Sequence, residues 1–271
     1  MTEIGSIRRS AHRLVAGTVE PLDEMVAEEV AVALVYNGVG HAVMMATPCD
    51  LEDLGRGFSL TEGIVETASE IYDVEIEDFR DGSRDRGIEV RLEISAQRMV
   101  RLQERRRNLA GRSGCGLCGV ESLEAALRPV TAVAGRAVIS RQAIDRAMTD
   151  LPSLQRINRS NGATHAAGWA TASGTLLAVR EDVGRHNALD KLSGALMRGT
   201  AVEPGGFVVV TSRCSYEMVQ KAAALGAAAI AAVSAPTSLA IETAERAGIA
   251  LVAFVRDGRL TAYAHADRIA P

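Results

Sequence analysis

Three apolar runs in the second half of the chain, residues 207–211 (FVVVT), 228–233 and 249–255, alternate with the helix-patterned stretches SYEMVQKAAALG and TSLAIETAERAG. A strand that is apolar along its whole length needs cover on both faces. The alternation therefore predicts a sheet held between helices and mostly parallel. A strand at 175–179 and the helix VGRHNALDKLSGALMRG come before these runs, and residues 140–149 read as one more helix. The polar stretch RINRSNGATHAAG between them reads as loop.

The first half has a different rhythm. Residues 30–36 and 39–45 flank Asn37-Gly38, a pair that supplies the positive φ of a tight hairpin. Thr47-Pro48 opens a helix through DLEDLGRGFSL, with proline tolerated in the first turn. Residues 71–79 and 88–94 alternate apolar and polar positions, which predicts a second hairpin. Ser95 can cap the helix AQRMVRLQERRRNLA; SGCGLCG then reads as loop, and ESLEAAL as a short helix ending at Pro129. The division expected is an arm at 1–20, an α+β region at 21–130 and an α/β domain at 131–271.

With 271 residues, 47% of them hydrophobic, the chain can bury a large core. A net charge of -4 and 3% aromatic residues argue against nucleic acid as a partner, because both phosphate neutralisation and base stacking are poorly served. No window approaches the roughly 18 uncharged apolar residues of a membrane span, and the N-terminus lacks the apolar core of a secretory signal. Four cysteines in a chain this long are no disulfide scaffold. The expectation is a cytoplasmic protein with reduced thiols.

Two of those thiols form the sharpest local feature, Ser113-Gly114-Cys115-Gly116-Leu117-Cys118-Gly119. Cysteines three positions apart can act on one small centre, and glycines on either side leave the sulfurs open to a large partner. Arg105, Arg106, Arg107 and Arg112 bring positive charge close by, and a following helix offers its amide end; both favour the nucleophilic thiolate. Other readings stay open on the residues alone. The pair is compatible with half of a zinc site completed by Cys49, Cys214, His165, His186 or His265, or with a dithiol redox couple. The arginines equally suit the carbonyl end of a helix. Cys49 and Cys214 read as small buried hydrophobes.

A second constellation runs Arg180-Glu181-Asp182-Val183-Gly184-Arg185-His186-Asn187, where a strand ends and a helix begins. Open α/β sheets bind ligands at such places. Helix amides and Arg185 suit a phosphate, while Asp182, His186 and Asn187 can hydrogen-bond a sugar or base. A helix cap with solvated charges fits the same letters. Arg213, Arg256 and Arg259 sit at analogous strand ends, so a ligand with several phosphates is expected.

In order along the chain, ALVYNG, DLEDLGRGFSLTEGI, ERRRNLAGRSGCGLCGVESL, THAAGW, EDVGRHNALDKL, SYEMVQKAA, SAPTSLAIETAE and FVRDGR resemble the FdhD/NarQ family. The resemblance covers nearly everything after the arm. It implies a cytidine-deaminase-like, three-layer α/β C-terminal domain with a smaller α+β N-terminal region, and a homodimer. It also implies a sulfur carrier of sulfurtransferase type. Such a carrier takes sulfur from a cysteine desulfurase as a persulfide on Cys115, with Cys118 auxiliary. It passes the sulfur to molybdenum (or tungsten) in a bis-molybdopterin guanine dinucleotide destined for formate dehydrogenase. The family's cofactor-binding stretch maps onto Phe254, Val255, Arg256, Asp257, Gly258 and Arg259; Thr164, His165, Asp182, Arg185, His186, Asn187 and Arg213 are further candidates. No permanently bound metal is expected, because THAAG replaces a deaminase H-x-E and no proline precedes the cysteine pair. Asn161-Gly162-Ala163 departs from the Gly-Gly or Gly-Cys usual before Thr-His.

Overall fold

The computed structural model describes residues 4–80, 87–109, 130, 132–133, 137–199 and 205–271. The chain begins with a hairpin, β1 (Ser6–Val15) and β2 (Thr18–Ala27), paired across ten positions. Residues 1–20 read as an arm without periodicity because charged and apolar side chains alternate irregularly along them. In the fold the described part of them, residues 4–20, is mostly strand, and the hairpin stands largely in solvent.

A four-stranded sheet follows, in the order β4-β3-β6-β5. It contains β3 (Val30–Tyr36), β4 (Val39–Ala46), β5 (Ile71–Asp78) and β6 (Gly87–Ile94). Asn37 and Gly38 take φ of 46° and 76°, the twist that closes β3 on β4. The pair β5–β6 is antiparallel as expected, and β3–β6 is parallel. Helices α1 (Leu51–Thr61) and α2 (Ala96–Leu109) flank this sheet in the chain, and Leu54, Met99 and Leu102 join Val32, Leu34, Val90 and Leu92 in one core. The first of these helices starts at Leu51 with Asp50 as a left-handed cap, so Pro48 lies before it, not in its first turn.

The second half builds a six-stranded sheet in the order β13-β12-β11-β10-β8-β9. A short strand, β7 (Ile139–Ser140), and the helix α3 (Arg141–Leu154) lead into α4 (Arg156–Asn161) and β8 (His165–Ala170). Next come β9 (Leu176–Asp182), α5 (Arg185–Met197) and β10 (Phe207–Val210). They are followed by α6 (Tyr216–Ala224), β11 (Ala229–Ala232), α7 (Ser238–Ala247), β12 (Ala250–Arg256) and β13 (Arg259–Ala264). A last strand, β14 (Ile269–Ala270), pairs with β7.

Alternation along β10 shows the layering. Val208 and Val210 join Leu189, Met218 and Ala244 in the core under α5, α6 and α7, while Phe207 and Val209 join Ile144 and Leu151 under α3. Both faces are covered, as the apolar strands required, giving a mixed α/β fold. The sheet is not mostly parallel, however. Only β10–β11 and β11–β12 run parallel, and β8, β9 and β13 are antiparallel to their neighbours.

The stretch RINRSNGATHAAG is likewise not loop but α4 and most of β8, which is an interior strand of the sheet, between β10 and β9. Small residues are demanded there. A Cβ on Gly168 would come within 3.0 Å of both Leu176 and Val209. Trp169, on the opposite face, is wholly buried.

The two sheets are joined through α1 against α5. A Cβ on Gly57 would lie 1.7 Å from the Asp190 carbonyl oxygen, and one on Gly194 would lie 1.9 Å from that of Asp53. The two backbones touch, so no larger residue fits. Buried charges fasten the same seam. Lys191 Nζ lies 2.7 Å from Asp182 Oδ2, both side chains being fully buried, and donates to the Thr47 carbonyl at 2.9 Å. Asp182 also accepts from the Thr47 amide at 3.0 Å. The buried carboxylate of Asp53 receives Arg180 and Arg198. Lys221 binds Asp190 and Glu62, and the two carboxylates more than offset burial in holding its ammonium above the usual lysine range.

Candidate functional site

Parallel β10, β11 and β12 end on one edge of the large sheet, and the antiparallel register of β8 with β10 and β9 brings the start of β8 and the end of β9 to that same edge. His165 lies opposite Asp182 in the β8–β9 ladder. The crossovers place the N-termini of α5, α6 and α7 here as well; α7 is capped by Thr237, while α5 and α6 have no side-chain cap. The edge is knitted together. Ala166 donates to Thr211 Oγ1 at 2.9 Å, Cys214 to the Ala235 carbonyl at 3.1 Å, and Phe254 to the Ser234 carbonyl at 3.4 Å.

Arg185 and His186 open α5. His186 Nε2 lies 3.0 Å from Glu217 Oε2, in the first turn of α6, and Ser215 Oγ donates to the same oxygen at 3.2 Å. The contact from His186 holds the Glu217 carboxyl below its usual range, helped by the charges of His186 and Arg185. Burial, and then the nearby charges of Arg185 and His186, lower the His165 pKa and favour its neutral ring. Arg185 Nε is buried without a hydrogen-bond partner among the described residues. An orphaned cationic donor beside helix amides suits an anionic oxygen of a bound ligand.

Arg213, exposed between β10 and α6, stands on the same edge. Further along, Arg256 and Arg259 pair across the β12–β13 turn, where Asp257 and Gly258 take φ of 53° and 67°. The Arg141 guanidinium donates to the Gly258 carbonyl and props this turn. Strands β10 and β12 are two apart, roughly 10 Å at the usual strand spacing. An extended ligand with separated phosphates matches that length better than a compact one. Phe254 is exposed at a φ of 54° beside Tyr263, with ring centroids 6.5 Å apart.

Not every candidate faces the crevice. Asp182 is fully buried, and its oxygens accept from Gly184, Thr47, Asn187 and Lys191. The Asn187 amide is spent on Asp182 and the Met45 carbonyl. Thr164 is buried and donates to Glu181 at 3.0 Å. Val255 belongs to the core beneath the sheet. The hydrogen bonds and packing of these four fasten the fold. Glu217, which sequence reasoning passed over, is the one acidic partner in the cluster; its place in SYEMVQKAA, four residues after Arg213, was the available signal.

Cys115, Cys118 and Arg112 lie outside the described residues, as do the side chains of Arg105, Arg106 and Arg107. Of the described cysteines, Cys214 is buried and its thiol is pushed up to about 12 by desolvation. Cys49 is half-buried and pushed up to about 11, mainly by burial and despite the Lys191 ammonium. Both stay protonated at neutral pH. No group of three or more His, Cys, Asp or Glu side chains able to hold a metal ion occurs among the described residues. None of the described helices is long and apolar enough to cross a membrane.

The sequence profile of the FdhD/NarQ family matches residues 27–270. A protein of Cupriavidus necator named sulfur carrier protein FdhD is 55% identical over 244 residues, 90% of this chain and 83% of that one. One of the same name from Xanthomonas euvesicatoria pv. vesicatoria is 48% identical over 265 residues, 98% of this chain and 92% of that one. Among solved structures, one described as a formate dehydrogenase accessory protein from Desulfotalea psychrophila superposes with a TM-score of 0.72 at 24% identity, covering 97% of this chain and 99% of that one. That likeness shows the fold.

Proposed function

The chain belongs to the FdhD/NarQ family, and from that premise we propose that it is a cytoplasmic sulfur carrier that serves the maturation of formate dehydrogenase. The kinship with relatives named for sulfur carriage, sharing about half of their residues with this chain, carries the reading. The Cys115 thiolate attacks the terminal sulfur of a cysteine desulfurase persulfide. One S–S bond forms on Cys115 as the donor's breaks, and the donor leaves as its thiolate. Onward transfer breaks the new bond. The sulfur takes two electrons from the reduced metal of the cargo, and Cys115 departs as thiolate, with Cys118 as its auxiliary.

The cargo is a molybdenum (or tungsten) bis-molybdopterin guanine dinucleotide, written here as substrate. The crevice along the large sheet supports this assignment. Arg185, with its orphaned Nε, and the amides at the start of α5 and α6 suit one phosphate group, while Arg213, Arg256 and Arg259 suit others. The partners are then a cysteine desulfurase, the catalytic subunit of formate dehydrogenase and a second copy of the chain.

Mass spectrometry after incubation with a desulfurase and cysteine tests the carrier step. The Cys115 peptide should gain the mass of one sulfur atom, reversibly under reductant, and Cys115→Ala should abolish maturation of the dehydrogenase. Full maturation by that variant would leave a chaperone that only holds the cofactor. One zinc ion per purified chain, lost in Cys118→Ser, would overturn the sulfur reading of the cysteine pair.

A further inference from the structure

The crevice is basic, yet one carboxylate stands in it. Arg185 opens α5, Arg213 lies exposed before α6, and Arg256 and Arg259 pair across the β12–β13 turn. Glu217 sits among these cations in the first turn of α6. The acids closest to it in the fold's logic are spent on the frame. Asp182 is fully buried against Lys191, and Glu181 accepts from the Ile157 and Asn158 amides. Glu217 is half-buried and held in place. Ser215 Oγ donates to its Oε2 at 3.2 Å, and His186 Nε2, from α5, lies 3.0 Å from the same oxygen. The carboxylate is thereby fixed within electrostatic reach of Arg185, whose Nε has no hydrogen-bond partner among the described residues.

A fixed negative group costs an anion site affinity, and the cost grows with the charge of the ligand. A phosphate esterified on both sides carries one negative charge. A terminal phosphate carries about 1.5 to 2 near neutral pH. The carboxylate of Glu217 therefore opposes a terminal phosphate more than a bridging one. A first-turn glutamate also suits the amide end of its own helix, but that role is blind to which phosphate is bound.

We propose that Glu217 is a specificity-determining residue: its carboxylate turns the α5–α6 end of the crevice toward phosphates in diester linkage and against nucleotides that end in a free phosphate. This role rests on the reading of the cargo as a guanine dinucleotide, in which both phosphates bridge. Free guanosine diphosphate shares the base, the ribose and both phosphorus atoms with such a cargo. It lacks only the ester on the second phosphate. Arginines and helix amides alone favour the more highly charged free nucleotide. A carboxylate among them reverses that order by penalising the wrong ligand more than the right one. His186 and Ser215 act through Glu217, by keeping its charge at one place.

Calorimetric titration of the full chain with guanosine diphosphate and with its β-methyl ester tests this. The ester caps the terminal phosphate with one methyl group and leaves the base, ribose and first phosphate unchanged. The wild type should bind the ester at least about tenfold more tightly. Glu217→Gln keeps the size and hydrogen-bonding capacity of the side chain and removes its charge. It should bring the two ligands to within about twofold of each other, by tightening guanosine diphosphate. A glutamate that only supports the fold would shift both affinities together and leave their ratio alone. The wild-type comparison needs no variant to fold. Equal binding of the two ligands by the wild type, or an undiminished preference in Glu217→Gln, would overturn the proposal and leave the cargo reading standing. Binding of neither ligand by the wild type would overturn both.

Discussion

One segment, residues 181–191, builds two regions of opposite character. Its Asp182, Asn187, Asp190 and Lys191 turn inward to the seam with α1, while Arg185 and His186 turn outward to the crevice. At the seam Lys191 with Asp182 and Lys221 with Asp190 are matched and buried, and each partner is worth most when the other is lost. At the crevice Arg185 Nε has no hydrogen-bond partner among the described residues, and α5 and α6 begin without a side-chain cap. The difference shows how polar residues divide their labour: matched ones hold the site's frame, and unmatched ones are left for the ligand.

The strongest way to break that comparison is Lys191→Met. It strands the buried Asp182 carboxylate and the Thr47 carbonyl, and should cost about 3–5 kcal/mol in urea unfolding. The double change with Asp182→Leu should recover part of this loss. No recovery would mean that the pair is not the unit that matters. Next comes Gly194→Ala, whose methyl meets the Asp53 carbonyl. Overpacking there should cost about 1–3 kcal/mol, read from the same unfolding midpoint. An unchanged midpoint would show that the helices part easily.

Arg185→Ala sharpens the outward side. Stability should stay within about 0.5 kcal/mol. Guanosine diphosphate, a fragment of the proposed cargo, should bind more weakly by about 1.5–3 kcal/mol on calorimetry. Arg256→Ala/Arg259→Ala should weaken it independently if one ligand spans the crevice; unchanged affinity would confine binding to the α5 end.

The smallest effect is a pH dependence. The folded pKa of His165 lies below the unfolded value of 6.5. As pH falls from 6.5 towards that lower value, the unfolded chain takes up the proton more readily, so wild-type stability should decline relative to His165→Gln. Parallel curves for the two proteins between pH 7 and 5 would contradict this.

Much of the fold was legible in the sequence because its signals were local. Asn37-Gly38 marked a hairpin, Ser95 marked the start of α2, and three apolar runs marked β10, β11 and β12. The strand β8 was hidden because its interior position is a tertiary fact; HAAGWA owes its place to the closeness of Leu176 and Val209, not to strand propensity. The crevice was half legible. Arg185 and His186 were found by their place between strand and helix, yet the same argument also selected Asp182 and Asn187. A polar residue at a strand end looks alike whether it faces solvent or another helix, and only the approach of α1, set by Gly57, separates the two cases. Glu217 was missed because its role depends on a histidine from another element.

The closeness of α1 and α5 also governs the order of events during synthesis. The carbonyl of Thr47 waits for Lys191, which lies 144 residues later in the chain, and Asp53 waits for Arg180 over 127 residues. While the first sheet leaves the ribosome, its helix α1 carries a bare glycine face and an unmatched carboxylate. The N-terminal region therefore cannot finish folding on its own schedule. Its last contacts form only after α5 emerges, when β8 and β9 of the large sheet have been made and β10 to β13 have not.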